Sequence, residues 1–361
     1  MPSLATIRGT ATASVLGDGR VLAAGGGVGA IALNAAEVYD PAADRWSEAV
    51  RLTSARRGHQ AVVLDDGRVL VAGGLAEGRP LGSVEIYDPA TSEWQPVAPM
   101  TVPRLGHSLT RLADGRVLAA GGSALDAEEG TAGGQTLRTE ASTEIYDPET
   151  ASWAVARRMS SPRFEHTATL LEDGRVLMAG GLGPAGESAE LTPLRSTEIY
   201  DPAADAFVRS SDLGESRTNH TATLIGNGAV LVAGGAGGEN GDVSLASAEV
   251  LNPRQATWTS VGSLAQPRTG HTATRLDDGR VLVAGGEAAR RGSRRSLTSA
   301  EVFVPEGGAG GEWRPAGDMS CPRSEQAAVL LGDGSVLVVA GDAAFPGQAP
   351  VAQSCVARYR P

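Results

Sequence analysis

Short apolar runs and turn-forming pairs follow one another along the chain at a regular spacing. Asp18-Gly19, Asp66-Gly67, Asp114-Gly115, Asp173-Gly174, Asn227-Gly228, Asp278-Gly279 and Asp333-Gly334 each separate two such runs, as AVVL at 61–64 and VLVA at 69–72 flank the second pair. A dipeptide of this kind tolerates the positive φ of a tight turn, so each copy predicts two antiparallel strands, A and B. Both runs are apolar with little alternation, which predicts strands covered on both faces. Seven residues beyond each turn glycine stands another glycine: Gly26, Gly74, Gly122, Gly181, Gly235, Gly286 and Gly341. A second glycine precedes it in six copies, and Ala340 does so in the seventh. Strand B therefore ends on backbone with almost no side chain, where another segment can approach closely.

A third strand, C, carries Glu-x-Tyr-Asp-Pro in four copies, ending at Pro41, Pro89, Pro148 and Pro202. It drifts to EVLNP and EVFVP in the next two and closes the chain as Ala357-Arg358-Tyr359-Arg360-Pro361. Proline cannot donate to a sheet ladder, so Asp-Pro ends the strand in a turn. A fourth strand, D, opens with Trp46, Trp94, Trp153, Phe207, Trp258 and Trp313, rings that read as filler between neighbouring copies. A double glycine, then a tyrosine, then a tryptophan at fixed separation resembles the kelch repeat. The resemblance covers nearly the whole chain, and it implies a β-propeller in which each repeat makes one blade. A lone four-stranded sheet with two apolar faces must stack on neighbours, which agrees. The expectation is an all-β, seven-bladed, single-domain propeller spanning 1–361. Its blades fall near 8–55, 56–103, 104–162, 163–216, 217–267, 268–322 and 323–361. The last lacks a D strand, because only Met1 to Leu4 precede the first repeat, so its strand C edge should be open and the seam should depend on packing.

Length variation locates the expected binding face. From the last glycine of strand B to the strand C glutamate position the intervals are 11, 11, 22, 17, 14, 15 and 16, while most other segments keep one length. Antiparallel order places these B-to-C loops on the same face as the arginines that open each repeat, Arg8, Arg56, Arg104, Arg163, Arg217, Arg268 and Arg323. Loops on a rigid scaffold are the usual place for recognition. The longest contains Asp126, Glu128 and Glu129, and the sixth contains Arg290, Arg291, Arg294 and Arg295. They give the rim opposed charges that suit a partner of complementary charge, although solvated loop tips carry such charges without function.

The five histidines, His59, His107, His166, His220 and His271, all occupy one repeat position. Their expected role is to hydrogen-bond loop backbone at the mouth of strand A, since a metal site draws ligands from unlike positions. The repeated arginine has a repeated mate in Glu37, Glu85, Glu144, Glu198, Glu249 and Glu301, which predicts a structural ring of ion pairs. Some kelch-type propellers are enzymes. The copper site of galactose oxidase implies tyrosines, one linked to a cysteine, and here every tyrosine stands at the strand C position. The bacterial kelch-type sialic acid mutarotase implies nonrepeating acids near the axis, for which only Glu165, Asn219 and Glu325 qualify.

Composition narrows the partners. All 31 basic residues are arginine and the net charge is -11, which disfavours nucleic acid and anionic lipid. No apolar run is long enough to span a membrane and the N-terminus lacks a signal-peptide pattern, so a cytoplasmic protein is expected. Cys321 and Cys355 lie two strands apart by this reading, too far for a disulfide. The resulting expectation is a noncatalytic scaffold, without cofactor or metal, that binds a protein segment or a small polar ligand on the variable face. It would be a monomer or a weak dimer through the open edge. The competing expectation is a carbohydrate-active enzyme, mutarotase-like or oxidase-like.

Overall fold

The computed structural model describes residues 1–125, 137–184, 190–252, 255–290, 292–307 and 310–361. Its architecture is all-β apart from a single 3-10 turn at Gly226–Gly228. The first repeat folds as Thr12–Val15, Val21–Ala24, Ala36–Asp40 and Arg45–Ala49, antiparallel in the order A, B, C, D. Five further repeats form the same four-stranded unit, the sixth within a larger sheet. The last unit has three strands, Ala327–Leu330, Val336–Val339 and Val356–Tyr359. The A strands stand side by side around an axis, and Ala327–Leu330 touches both Thr272–Arg275 and Thr12–Val15. The ring closes on itself as a propeller.

Burial follows position in the unit. Strand B is wholly buried in every repeat, but strand A is mostly half-buried because it borders the axis. The expectation of full burial thus holds for B and fails for A. Apolar clusters lie between successive sheets: Leu22 and Val38 of the first repeat pack with Val69, Val71 and Tyr87 of the second. Tyr39 and Trp46 face each other across strands C and D with ring centroids 5.2 Å apart, and four later repeats keep such a pair. The indole of Trp94 donates to Val50 O at 2.9 Å and that of Trp153 to Ala98 O at 3.0 Å, so the ring joins neighbouring units as well as filling between them.

The double glycine serves a stitch between neighbours. The Gly26 amide donates to Arg56 O of the next repeat at 2.9 Å, and the bond recurs around the circle to Gly341, which donates to Arg8 O at 3.1 Å. Among the described residues the B-to-C segments pair as short β-hairpins, such as Leu75–Ala76 with Arg79–Pro80 and Glu287–Arg290 with Ser293–Ser296.

The two cysteines correct the sequence expectation, because Cys321 and Cys355 form a disulfide across a Cα separation of 6.7 Å. Cys321 lies on the D-to-A connection, which crosses its unit above the start of strand C before reaching strand A. The equivalent Thr6 likewise meets Glu37 of strand C. Counting the distance from strand A placed Cys321 two strand spacings from Cys355, farther than the 6.7 Å that separates them.

Candidate functional site

The first layer of the site is a set of rigid arginine anchors. Arg8 is fully buried; its Nη1 donates to Gly25 O and Ala35 O, and its Nη2 meets Glu37 Oε1 at 2.7 Å. Arg56–Glu85, Arg104–Glu144, Arg163–Glu198, Arg217–Glu249 and Arg268–Glu301 repeat the pair at 2.7 to 2.9 Å. Each glutamate also accepts from backbone of the connection ahead of its arginine, as Glu85 does from Thr53 and Ser54 at 2.6 and 3.0 Å. These buried pairs are structural, and they fix the chain two residues before it reaches the axis.

At that next position stand Thr10, Gly58, Gly106, Glu165, Asn219, Gly270 and Glu325, all in the left-handed region with φ between 49° and 61°. Six amides there donate to a neighbour's carbonyl: Thr10 to Glu325, Gly58 to Thr10, Glu165 to Gly106, Asn219 to Glu165, Gly270 to Asn219 and Glu325 to Gly270, at 2.8 to 3.2 Å. The result is a backbone belt around the axial mouth. Glycine suits this conformation; a side chain there costs on the order of 1 kcal/mol or more, so Thr10, Glu165, Asn219 and Glu325 are placed at the axis against local preference.

Their side chains converge. Asn219 Nδ2 donates to Glu325 Oε1 at 2.8 Å, and Thr218 Oγ1 donates to Glu165 Oε2 at 3.4 Å. Cavities of about 330 and 350 Å³ open at the mouth and share Asn219 and Glu325; the first also touches Arg57, Phe164 and Glu165. Glu165 is exposed to the water of the mouth, but protein crowds its carboxyl, and this partial desolvation, with the Glu325 charge adding to it, pushes the carboxyl up to about 7. Burial and Glu325 likewise push Asp342 up to about 6. Glu287 is raised by burial, an effect that Arg294 opposes. The mouth is therefore acidic, with carboxyls that titrate near neutrality and can bind a cation or exchange a proton.

The structure brings Glu165, Asn219 and Glu325 together, three residues the broken repeat singled out. It adds Asp342 and Glu287, which follow the double glycine where other copies have a small or apolar residue; an acid at that slot was the available signal. Arg290, Arg294 and Arg295 lie on the sixth hairpin, with Arg294 Nη1 3.5 Å from Glu287 Oε1. Asp126, Glu128, Glu129 and Arg291 lie outside the described residues.

The histidines take a role beyond the expected one. His59, His166, His220 and His271 place Nε2 2.9 to 3.0 Å from the hydroxyls of Thr12, Ser108, Thr167 and Thr221, each on strand A of the preceding repeat. They bond side chains of a neighbour, where the ring packs against the double glycine, and the backbone of Arg163 and Arg268 also acts on His166 and His271 as expected. For His107 the corresponding strand A position holds Gln60 in place of a hydroxyl residue, and both ring nitrogens lack a hydrogen-bond partner. Burial holds all five neutral, with His59, His107 and His271 pushed down to about 3. The tyrosines Tyr39, Tyr87, Tyr146 and Tyr200 are buried against the D-strand rings. Among the described residues no group of three or more His, Cys, Asp or Glu could hold a metal ion, and no helix is long and apolar enough to cross a membrane.

Comparison with known proteins bears on the family. The pattern described as Kelch motif matches residues 8–53 and 56–101. Kelch domain-containing protein 9 of Mus musculus is 33% identical over 168 residues, 45% of this chain and 45% of its own. Spermatocyte protein spe-26 of Caenorhabditis elegans is 29% identical over 44% of this chain and 28% of its own. Kelch-like protein 34 of Homo sapiens is 28% identical over 45% of this chain and 26% of its own. The matched region thus spans less than half the length of each relative. A solved fungal alcohol oxidase of the AA5 family, in complex with copper, superposes on 100% of this chain and 76% of its own with a TM-score of 0.76. At 19% identity that likeness concerns the fold alone.

Proposed function

Because this chain is a kelch-repeat β-propeller, we propose that it is a noncatalytic binding scaffold whose recognition surface is the hairpin face with the acidic axial mouth at its centre. The three-stranded unit is counted as the seventh blade of one domain. The ligand is a protein segment or a small polar molecule bearing positive charge, taken up by Glu165, Asn219 and Glu325. Arg290, Arg294 and Arg295 form a basic patch on the rim that sets the partner's orientation. Nucleic acid and membrane are not partners in this reading, the location is cytoplasmic, and self-association through the edge of Val356–Tyr359 is weak. The observation that carries the proposal is the convergence of three nonrepeating polar side chains at belt positions where glycine is the easier choice.

Affinity capture with the wild type and with Glu165→Gln/Glu325→Gln as parallel baits tests it. The ligand retained by the wild type should be lost or weakened at least tenfold in the variant, whose melting temperature is unchanged or raised. Equal retention would move the site away from the mouth.

One observation favours a second reading, a carbohydrate-active enzyme. A carboxyl with a pKa of about 7 beside Glu325 is poised as a general acid or base near neutral pH. Such an enzyme would accelerate a sugar's anomeric interconversion with a rate that follows the protonation of Glu165, and Glu165→Gln would abolish it.

A further inference from the structure

One buried group in the last repeat lacks the partner that its six counterparts have. Arg323 is as buried as the other repeat arginines, and its Nη1 donates to Cys355 O at 2.6 Å and to Ala340 O at 3.2 Å. Its Nη2, the atom that meets a glutamate in every earlier repeat, has no hydrogen-bond partner, because Ala357 stands at the glutamate position. Burial without a counter-charge lowers its pKa to about 10. The amides of Ser320 and Cys321 correspond to those of Ala5 and Thr6, which donate to Glu37 at 2.8 and 3.1 Å, and Ala357 offers them no carboxylate. The Cys321–Cys355 disulfide holds this connection to strand C as the glutamate does elsewhere, but it brings no negative charge.

A cavity lies on the far side of Ala357, and Arg323 stands behind its lining. Ser320, Cys321, Cys355 and Ala357 line a cavity of about 660 Å³ between Gly310–Arg323 and Val356–Tyr359, along the strand edge that no D strand covers. Asp318 also lines it but makes no ion pair with Arg323 among the described residues. A buried cation left without its anion is strongly unfavourable, and an anion that restores the pair recovers that loss.

We propose that this cavity binds a carboxylate, which enters past Ala357 to the place of the missing glutamate, accepts hydrogen bonds from the amides of Ser320 and Cys321, and reaches Arg323 Nη2 by displacing the side chains that now cover it. The carboxylate comes either from a small free acid or from an acidic side chain on an extended segment lying along the open edge. Six internal copies of the same Arg–carboxylate–amide arrangement define the geometry that it completes.

The test is a pair of titrations at pH 7 and constant ionic strength on the oxidised chain, one with sodium acetate against sodium chloride and one with a short extended Glu-containing peptide against its Gln counterpart. In the wild type the carboxylate should raise the melting temperature by roughly 1 to 3 °C and shift the amide resonances of Ser320 and Cys321. Ala357→Glu, which supplies its own carboxylate, should melt higher in chloride and lose both responses, while Ala357→Gln should gain less. A response to acetate identifies a free acid as sufficient, and a response to the peptide alone identifies the extended segment. If neither probe moves the Ser320 and Cys321 amides of the wild type, the site does not exist. Equal carboxylate responses in the wild type and Ala357→Glu would also overturn it, and the amide shifts decide the matter if that variant fails to fold. None of these outcomes depends on the axial mouth.

Discussion

Gly74 has no room for a side chain: a Cβ there would lie 2.8 Å from Arg57 O and 2.9 Å from His59 Cβ, at a backbone φ of +95°. Gly74→Val should therefore cost roughly 1 to 3 kcal/mol or more, read as a clear drop in melting temperature; a melt within error of the wild type would refute the close approach. The carboxyl and imidazole shifts give opposite pH dependences. The folded chain keeps Glu165 protonated up to about pH 7, whereas an unfolded glutamate has lost its proton by about pH 4.3, so this group favours folding at low pH and the advantage fades as pH rises through 7. The histidines stay neutral when folded and gain protons when unfolded, so their effect destabilises as pH falls below about 6.5. Wild type minus Glu165→Gln stability should then decline between pH 5 and 7.5, while both proteins lose stability below pH 6. A flat difference would place Glu165 in ordinary solvent. Glu165, Asn219 and Glu325 were legible because they break a repeat. Their approach to one another was not, since seven copies around an axis meet only once the ring is closed.

At the scale of elements, the repeat arginine and its glutamate were readable as a pair from spacing, and their burial makes them anchors. Glu198→Gln, which leaves Arg163 without its counter-charge, should cost about 3 to 5 kcal/mol, in contrast to the 0 to 1 kcal/mol of an exposed pair. The variable segments read as loops because length variation hides pairing, yet their described parts pair as hairpins tied to the connections, as Leu75 is to Arg57. Replacing Arg290, Arg291, Arg294 and Arg295 with serine should weaken capture of an acidic partner and flatten its salt dependence without lowering the melting temperature. Unchanged affinity across 50 to 300 mM salt would remove this hairpin from the interface. The disulfide was missed because sequence order gives strand neighbours but not the path of a connection that climbs over them. With its cysteines 34 positions apart, its reduction should destabilise by about 3 to 4 kcal/mol in the chain-entropy view.

The whole molecule is a circle of nearly identical contacts with one irregular place. Every junction has the glycine-to-arginine stitch, the junction of last to first included, through Gly341 and Arg8 and through Leu4, whose amide donates to Ser354 O at 2.9 Å. The periodicity of the sequence therefore carried the fold. What periodicity could not supply was the covalent tie at Cys321 and Cys355, which anchors the start of the exposed strand while leaving its outer edge unpaired. The ring is thus uniformly stitched and weakest along Val356–Tyr359. Native-state amide hydrogen exchange measures this directly. Residues 356–359 should exchange first among the C strands, ahead of 84–88 and 143–147, and reduction of the disulfide should widen the gap; protection at 356–359 equal to that of the middle repeats would contradict it.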